Sequence, residues 1–337
     1  MSLADVVAVA MFAGIVAYAV LGGADFGSGV WDLLAGNDDR SGDRRRLIDH
    51  AIGPVWEANH VWLIFVIVFL WTGFPEAFGA IMRTLYVPFW LVGLGIVLRG
   101  AGFAFRKYSA TFGEARVYGI AFASSSLITP FFLGTIAGAV ASGRVPADGT
   151  GDRWTSWLGP TSLLGGVLAV LTCAFLAAVF LTAEADSLGR GDLTDWFRRR
   201  ALLCGIVTGA VAVVGIVPLA TDAETLFDGL TGRGLLVIVA SALGGALSLW
   251  FLHTGVVRRA RIAAVVAVGA VVAGWGVGQY PWLLVDQVEI DDAAGADATL
   301  WGLVVGGVVA VVLVVPSLVY LFVLADRDDI GGEIGSV

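Results

Sequence analysis

Charge is scarce in this chain. Only 14% of its 337 residues are Asp, Glu, Lys or Arg, against 58% hydrophobic, which excludes a soluble globular protein, and nothing in it suggests nucleic acid. Cysteine is scarcer still. Cys173 and Cys204 form no Cys-x-x-Cys pair and no Cys-x-x-Cys-His, so neither an iron–sulfur site nor covalent haem attachment is written here. Both fall in apolar runs, where they act as small apolar side chains rather than as a disulfide. Only His50, His60 and His253 could offer imidazole to a metal. The carboxylates lack a calcium-loop spacing, so no metal site is expected. The first apolar run has no basic n-region and no small-residue cleavage pattern, and it reads as a retained span rather than a signal peptide. No polar segment divides the chain, and residues 1–337 read as a single transmembrane domain.

What is present is apolar length. Crossing about 30 Å of hydrocarbon takes about 20 apolar residues, and such runs lie near 3–23, 54–73, 78–98, 117–141, 160–183, 201–220, 234–253, 262–278 and 300–324. The expected fold is therefore all-α and polytopic, with nine transmembrane helices. Sixteen of the twenty Lys and Arg residues fall in the loops after spans one, three, five and seven and in the C-terminal tail, whereas Arg83, Arg144, Arg153 and Arg233 fall on the other side. Basic loops stay in the cytoplasm, which puts the N-terminus outside and the C-terminus inside. Asp286, Glu289, Asp291, Asp292 and Asp297 share an outward-facing loop without a basic residue, read as a solvated like-charge block.

The 46 glycines are not linkers. They recur four apart within spans, as in Gly23/Gly27, Gly134/Gly138, Gly205/Gly209, Gly274/Gly278 and Gly302/Gly306, a spacing that lets helix backbones approach closely. Pro88, Pro130 and Pro316 are expected to kink their spans, and Pro54 suits a first helical turn.

Ionisable groups in hydrocarbon are functional suspects. Asp25 interrupts the first span within Gly-Gly-Ala-Asp-Phe-Gly, Trp56-Glu57-Ala58-Asn59-His60-Val61-Trp62 opens the second, and Arg99 closes the third. Topology brings these to the cytoplasmic third of spans one to three. Glu57 and His60 are three apart and share a helix face, with Asn59 and Trp62 on the adjoining stripe. Such a cluster can relay protons; it can also be static, with Arg99 neutralising Asp25 or Glu57. The residues alone leave both readings open.

Three segments carry a resemblance. Gly-Ala-Asp25-Phe-Gly-Ser-Gly, Gly53-Pro54-Val55-Trp56-Glu57-Ala58-Asn59-His60-Val61-Trp62-Leu63 and Arg99-Gly-Ala-Gly-Phe-Ala-Phe-Arg106 together look like subunit II of the cytochrome bd quinol oxidases. Nine spans with the N-terminus outside is also that family's topology. The chain resembles a divergent branch: it has Leu21 and Ala104 where many relatives carry acidic residues.

The resemblance implies a heterodimeric respiratory complex, in a bacterial or archaeal plasma membrane, that oxidises quinol and reduces dioxygen to water. Haems b558, b595 and d and the quinol-oxidising loop belong on the partner, the haem-bearing subunit I. This chain would ligate no haem and hold no directly catalytic residue. Glu57, Asp25 and His60 are then the candidates for a cytoplasmic proton-uptake route, with Arg99, Asn59, Trp56 and Trp62 as charge partner and structural support. Small accessory subunits, and a quinone or membrane lipid in a lateral groove, are compatible with the resemblance, and no residue identifies them. Two alternatives stay in view: a proton-coupled membrane transporter, and a purely structural membrane subunit.

Overall fold

The computed structural model describes residues 1–52, 56–108 and 112–332, and the side chains within them other than those of 52, 56, 106–108, 112–116 and 321–332. Pro54 and the side chains of Trp56, Arg106, Lys107, Arg116 and Arg327 thus lie outside the described residues. In chain order the elements are α1 (Leu3–Leu33), α2 (Ser41–Ile52), α3 (Trp56–Gly73), α4 (Pro75–Thr84), α5 (Tyr86–Tyr108), α6 (Phe112–Ala141) and α7 (Pro160–Ser187). They continue as α8 (Gly191–Val214), α9 (Ile216–Asp222), α10 (Glu224–Thr231), α11 (Leu235–Thr254), α12 (Val257–Gln279), a short hairpin of β1 (Trp282–Leu284) and β2 (Val288–Glu289), and α13 (Asp297–Gly332). Among the described residues the protein is all-α apart from that hairpin.

Local chemistry sets the helix limits. Ser2 caps α1: its hydroxyl accepts from the Asp5 N–H, and the Asp5 carboxylate accepts from the Ser2 N–H. Pro75 and Pro160 occupy first turns of α4 and α7, where a missing N–H costs no helical bond. Gly255 ends α11 in the left-handed region at φ 79°, where only glycine sits without strain.

Among the described residues, eight helical segments are long and apolar enough to cross a membrane, and α3 with α4 supplies a ninth crossing when that pair, bent by 116°, is taken as one span. This modifies the expected third span. Residues 78–84 belong to α4, which begins at Pro75 and buries Ala77, Ala80 and Ile81 as a cap on the bundle; the third crossing starts only at Tyr86. Pro88 consequently sits in the first turn of α5, where it does not break the helix, while Pro130 and Pro316 lie inside α6 and α13.

α1 is the central post, packed against α3, α6, α7, α12 and α13. One apolar cluster surrounds its N-terminal half, with Val7, Met11, Phe69, Phe74 and Leu85. A second surrounds its C-terminal half, with Trp31, Ile48, Phe122, Leu176, Phe197 and Leu252. Between them lies a small group of Tyr18, Phe26 and Cys173. One glycine pair and one member of a second work as expected. A Cβ on Gly27 would overlap the backbone carbonyl of Cys173 on α7, and Gly134 and Gly138 on α6 lie against the backbone of Gly165 and Ser162 on α7. Gly209, Gly302 and Gly306 differ: no neighbour from this chain stands within 4 Å of where their Cβ would be, because they face outward.

The acidic loop is anchored from beneath by Leu283, Leu284, Ile290 and Ala293, all buried. Its carboxylates stay at the surface, where Asp291 accepts from the Ser2 hydroxyl at 2.6 Å and Asp286 from Thr225 at 2.9 Å.

Candidate functional site

Asp25 and Arg99 meet in the middle group. Asp25 lies eight residues before the end of α1, and Arg99 nine residues before the end of α5, each about 12–14 Å from its helix terminus at 1.5 Å per residue. Arg99 is therefore inside its span rather than at its end, because α5 begins and ends later than the hydropathy run suggests. The Arg99 Nη2 donates to Asp25 Oδ1 at 2.5 Å and to the Asp25 carbonyl at 2.7 Å, and Nη1 donates to Ser126 Oγ at 2.7 Å. The side chains of the pair are 1% and 3% exposed. The guanidinium carbon stands 4.7 Å from the centre of the Phe26 ring and 4.5 Å from that of Phe122, so two aromatic faces flank the cation.

The fold builds this cradle from small residues. A Cβ on Gly29 would fall on the Ser126 hydroxyl, so glycine is what lets α1 approach α6 closely enough for Ser126 to reach Arg99. Ser28 turns its hydroxyl back to the Asp25 carbonyl, which thereby accepts from two donors. Asp25 Oδ2 and Arg99 Nε have no hydrogen-bond partner among the described residues.

His60 approaches from α3. Its Nδ1 is 3.5 Å from the Tyr18 hydroxyl, and its ring meets those of Tyr18 and Phe26 at centroid distances of 6.2 and 5.9 Å. Asn59 is 4% exposed, and Trp62 packs beside Phe65 against the Tyr18–Phe26–Cys173 group. Glu57 is apart from these. It lies in the first turn of α3 with its side chain exposed, one turn from His60 toward the helix end. Of the four ionisable groups, the structure thus joins Asp25 to Arg99, sets His60 against the rings beside them, and leaves Glu57 at the rim. Of the other histidines, His50 Nε2 lies 3.9 Å from Glu184, and His253 is exposed in the last turn of α11. Among the described residues no three His, Cys, Asp or Glu side chains gather as a metal-binding group.

Sequence reasoning missed Tyr18, Phe26, Phe122 and Ser126 as members of this site. The run Ser124-Ser125-Ser126 inside an apolar span is the signal that could have pointed to α6; nothing in the sequence says which serine faces α5.

The bundle that holds this site has known counterparts. Residues 3–325 match the family model for cytochrome bd terminal oxidase subunit II. The chain belongs to that family. It is 29% identical over 232 residues to the cytochrome bd ubiquinol oxidase subunit 2 of Bacillus subtilis (strain 168), an alignment covering 68% of this chain and 65%, just under two thirds, of that protein. Over 323 residues it is 23% identical to the putative cytochrome bd menaquinol oxidase subunit II of the same organism, covering 92% of each. The cytochrome bd-I ubiquinol oxidase subunit 2 of Escherichia coli (strain K12) is 27% identical over 202 residues, covering 58% of this chain and 51% of that one. The bd oxidase structure from Geobacillus thermodenitrificans has the same fold, with a TM-score of 0.76 at 22% identity over 96% of this chain and 98% of that chain. This subunit II is thus a multi-pass membrane protein of a respiratory oxidase family.

Proposed function

We propose that this subunit II pairs one-to-one with a haem-bearing subunit I, in a bacterial plasma membrane, to form a complex that oxidises quinol and reduces dioxygen to water. Haems b558, b595 and d sit on the partner in this reading, and the present chain contributes support and a proton-uptake route. The family match across residues 3–325 carries the proposal. Large apolar side chains facing outward on α3, α5 and α13, among them Ile64, Trp90 and Trp301, supply apolar surface that a membrane partner or lipid can cover. The orientation of the basic loops, with the N-terminus outside, puts the first turn of α3 at the cytoplasmic face.

In the uptake route Glu57 exchanges protons with water at the rim, and His60, one turn further in, receives them beside Tyr18 and Phe26. Asp25 lies beyond His60. A second reading of Asp25 rests on its ion pair: a buried carboxylate bonded to a guanidinium that two aromatic rings flank serves well as a fixed counter-charge. In that reading Glu57 and His60 carry the proton and Asp25 holds the architecture.

Glu57→Gln tests the route. It keeps shape and hydrogen bonding but carries no proton, so the variant complex should assemble with normal haem content yet lose most quinol-driven oxygen consumption, and Glu57→Asp should keep part of it. Normal haem with full turnover makes Glu57 structural. A chain purified stable and active without any haem protein ends the oxidase reading altogether.

A further inference from the structure

Away from the Asp25–Arg99 core, α11 and α12 form a lateral groove of about 400 Å³ on the outer surface of the bundle. Its walls are apolar, with Ala240, Leu243, Leu247 and Phe251 on α11 and Ile262 and Val266 on α12, and its floor is Gly244. The two helices are fixed against each other at that floor. Gly244 lies against the Ala263–Ala267 backbone, and Ser241 and Ser248 donate to the carbonyls of Ala267 and Ala260 at 2.8 and 3.0 Å. The groove is therefore part of the packed structure and does not have to open.

One end of it is charged. Arg259 lines the groove mouth, and Arg258 is exposed beside it. Both sit in the first turn of α12, which has no acidic residue and no side-chain cap. A helix N-terminus already presents partial positive charge and free N–H groups, where carboxylates are favoured and arginines are not. Among the described residues no carboxylate forms an ion pair with Arg258 or Arg259. From Ala240 to Phe251 the apolar wall runs about 16 Å at 1.5 Å per residue, about half of a 30 Å hydrocarbon core and hence one leaflet.

A cation cluster at one end of a one-leaflet apolar channel matches a single amphiphile with an anionic head. We infer that this groove is a binding site for one anionic phospholipid, its phosphate on Arg259 and the α12 N-terminus and one acyl chain along Leu247, Leu243 and Ala240. The inference rests on neither the orientation nor the proton route.

The test uses the protein as isolated from its membrane, with its accompanying subunits, and two probes: phosphatidylglycerol and phosphatidylcholine, each with a diazirine near the end of one acyl chain. Irradiation should label residues 240–266, with phosphatidylglycerol favoured. Arg259→Gln should lower that labelling about fivefold, the factor that about 1 kcal/mol per basic residue at a membrane surface corresponds to. Arg259→Lys keeps the charge and should keep most of the labelling. Equal labelling by the two lipids would point to a neutral occupant, such as a quinone tail, and would overturn the inference. So would unchanged labelling in Arg259→Gln, a Lys variant as poor as the Gln variant, or labelling of this chain only outside 240–266.

Discussion

Removing Arg99 is the sharpest perturbation the structure offers. Arg99→Ala leaves the Asp25 carboxylate 3% exposed without its cation, and breaking a buried pair by deleting one partner costs on the order of 3–5 kcal/mol. The same substitution orphans the Ser126 hydroxyl as an acceptor and removes the cation between Phe26 and Phe122, but these losses share one side chain and are not summed. For proteins of this size about 1 kcal/mol moves a melting temperature by about 2–4 °C, so a fall on the order of 10 °C is expected. Large proteins commonly unfold irreversibly, so the comparison is between variants at one scan rate. The double variant Arg99→Met, Asp25→Leu replaces both charges by apolar groups, and such a swap is often neutral or stabilising relative to the intact pair. The double variant should therefore be more stable than Arg99→Ala, with melting and yield of folded protein as the assay. Wild-type melting and yield in Arg99→Ala would refute the buried-pair argument. A double variant no better than the single would show that the loss comes from packing rather than from a stranded carboxylate.

Other expectations follow from the same coordinates. Gly27→Ala forces a methyl into the Cys173 carbonyl of α7 and should lower the yield of folded protein by overpacking, whereas Gly209→Ala, with open space around it, should leave expression and melting unchanged. At the rim of α2, Arg46 and then Arg190 hold the Asp43 carboxyl below its usual range. A lowered folded-state value means that its contribution is present above the ordinary carboxylate range and disappears as pH falls through the lowered value. Melting curves of wild type and Asp43→Asn should therefore differ slightly at neutral pH, converge in acid, and draw together in high salt, since the pair is exposed and screened; a gap that widens in acid would contradict the sign.

The sequence by itself determined the class of the protein. Hydropathy runs and a cation bias between alternate loops are one-dimensional properties, because a bilayer selects on local length and charge. Asp25, Glu57, His60 and Arg99 stood out for the same reason: polarity inside an apolar run is visible without a fold. Which of them meet was a tertiary decision. The break at Phe74 and Pro75 turns α4 across the bundle and delays α5 to Tyr86, which carries Arg99 about two and a half helical turns into the interior and onto Asp25. Phe26, Phe122 and Ser126 become its lining only because Gly29 lets α1 and α6 come together, a contact between residues nearly a hundred positions apart. The glycine spacing shows the same limit. Gly27 and Gly302 carry one local signature, and only the packing of α7 beside the first and the exposed side of α13 at the second tells a closed helix contact from an open face.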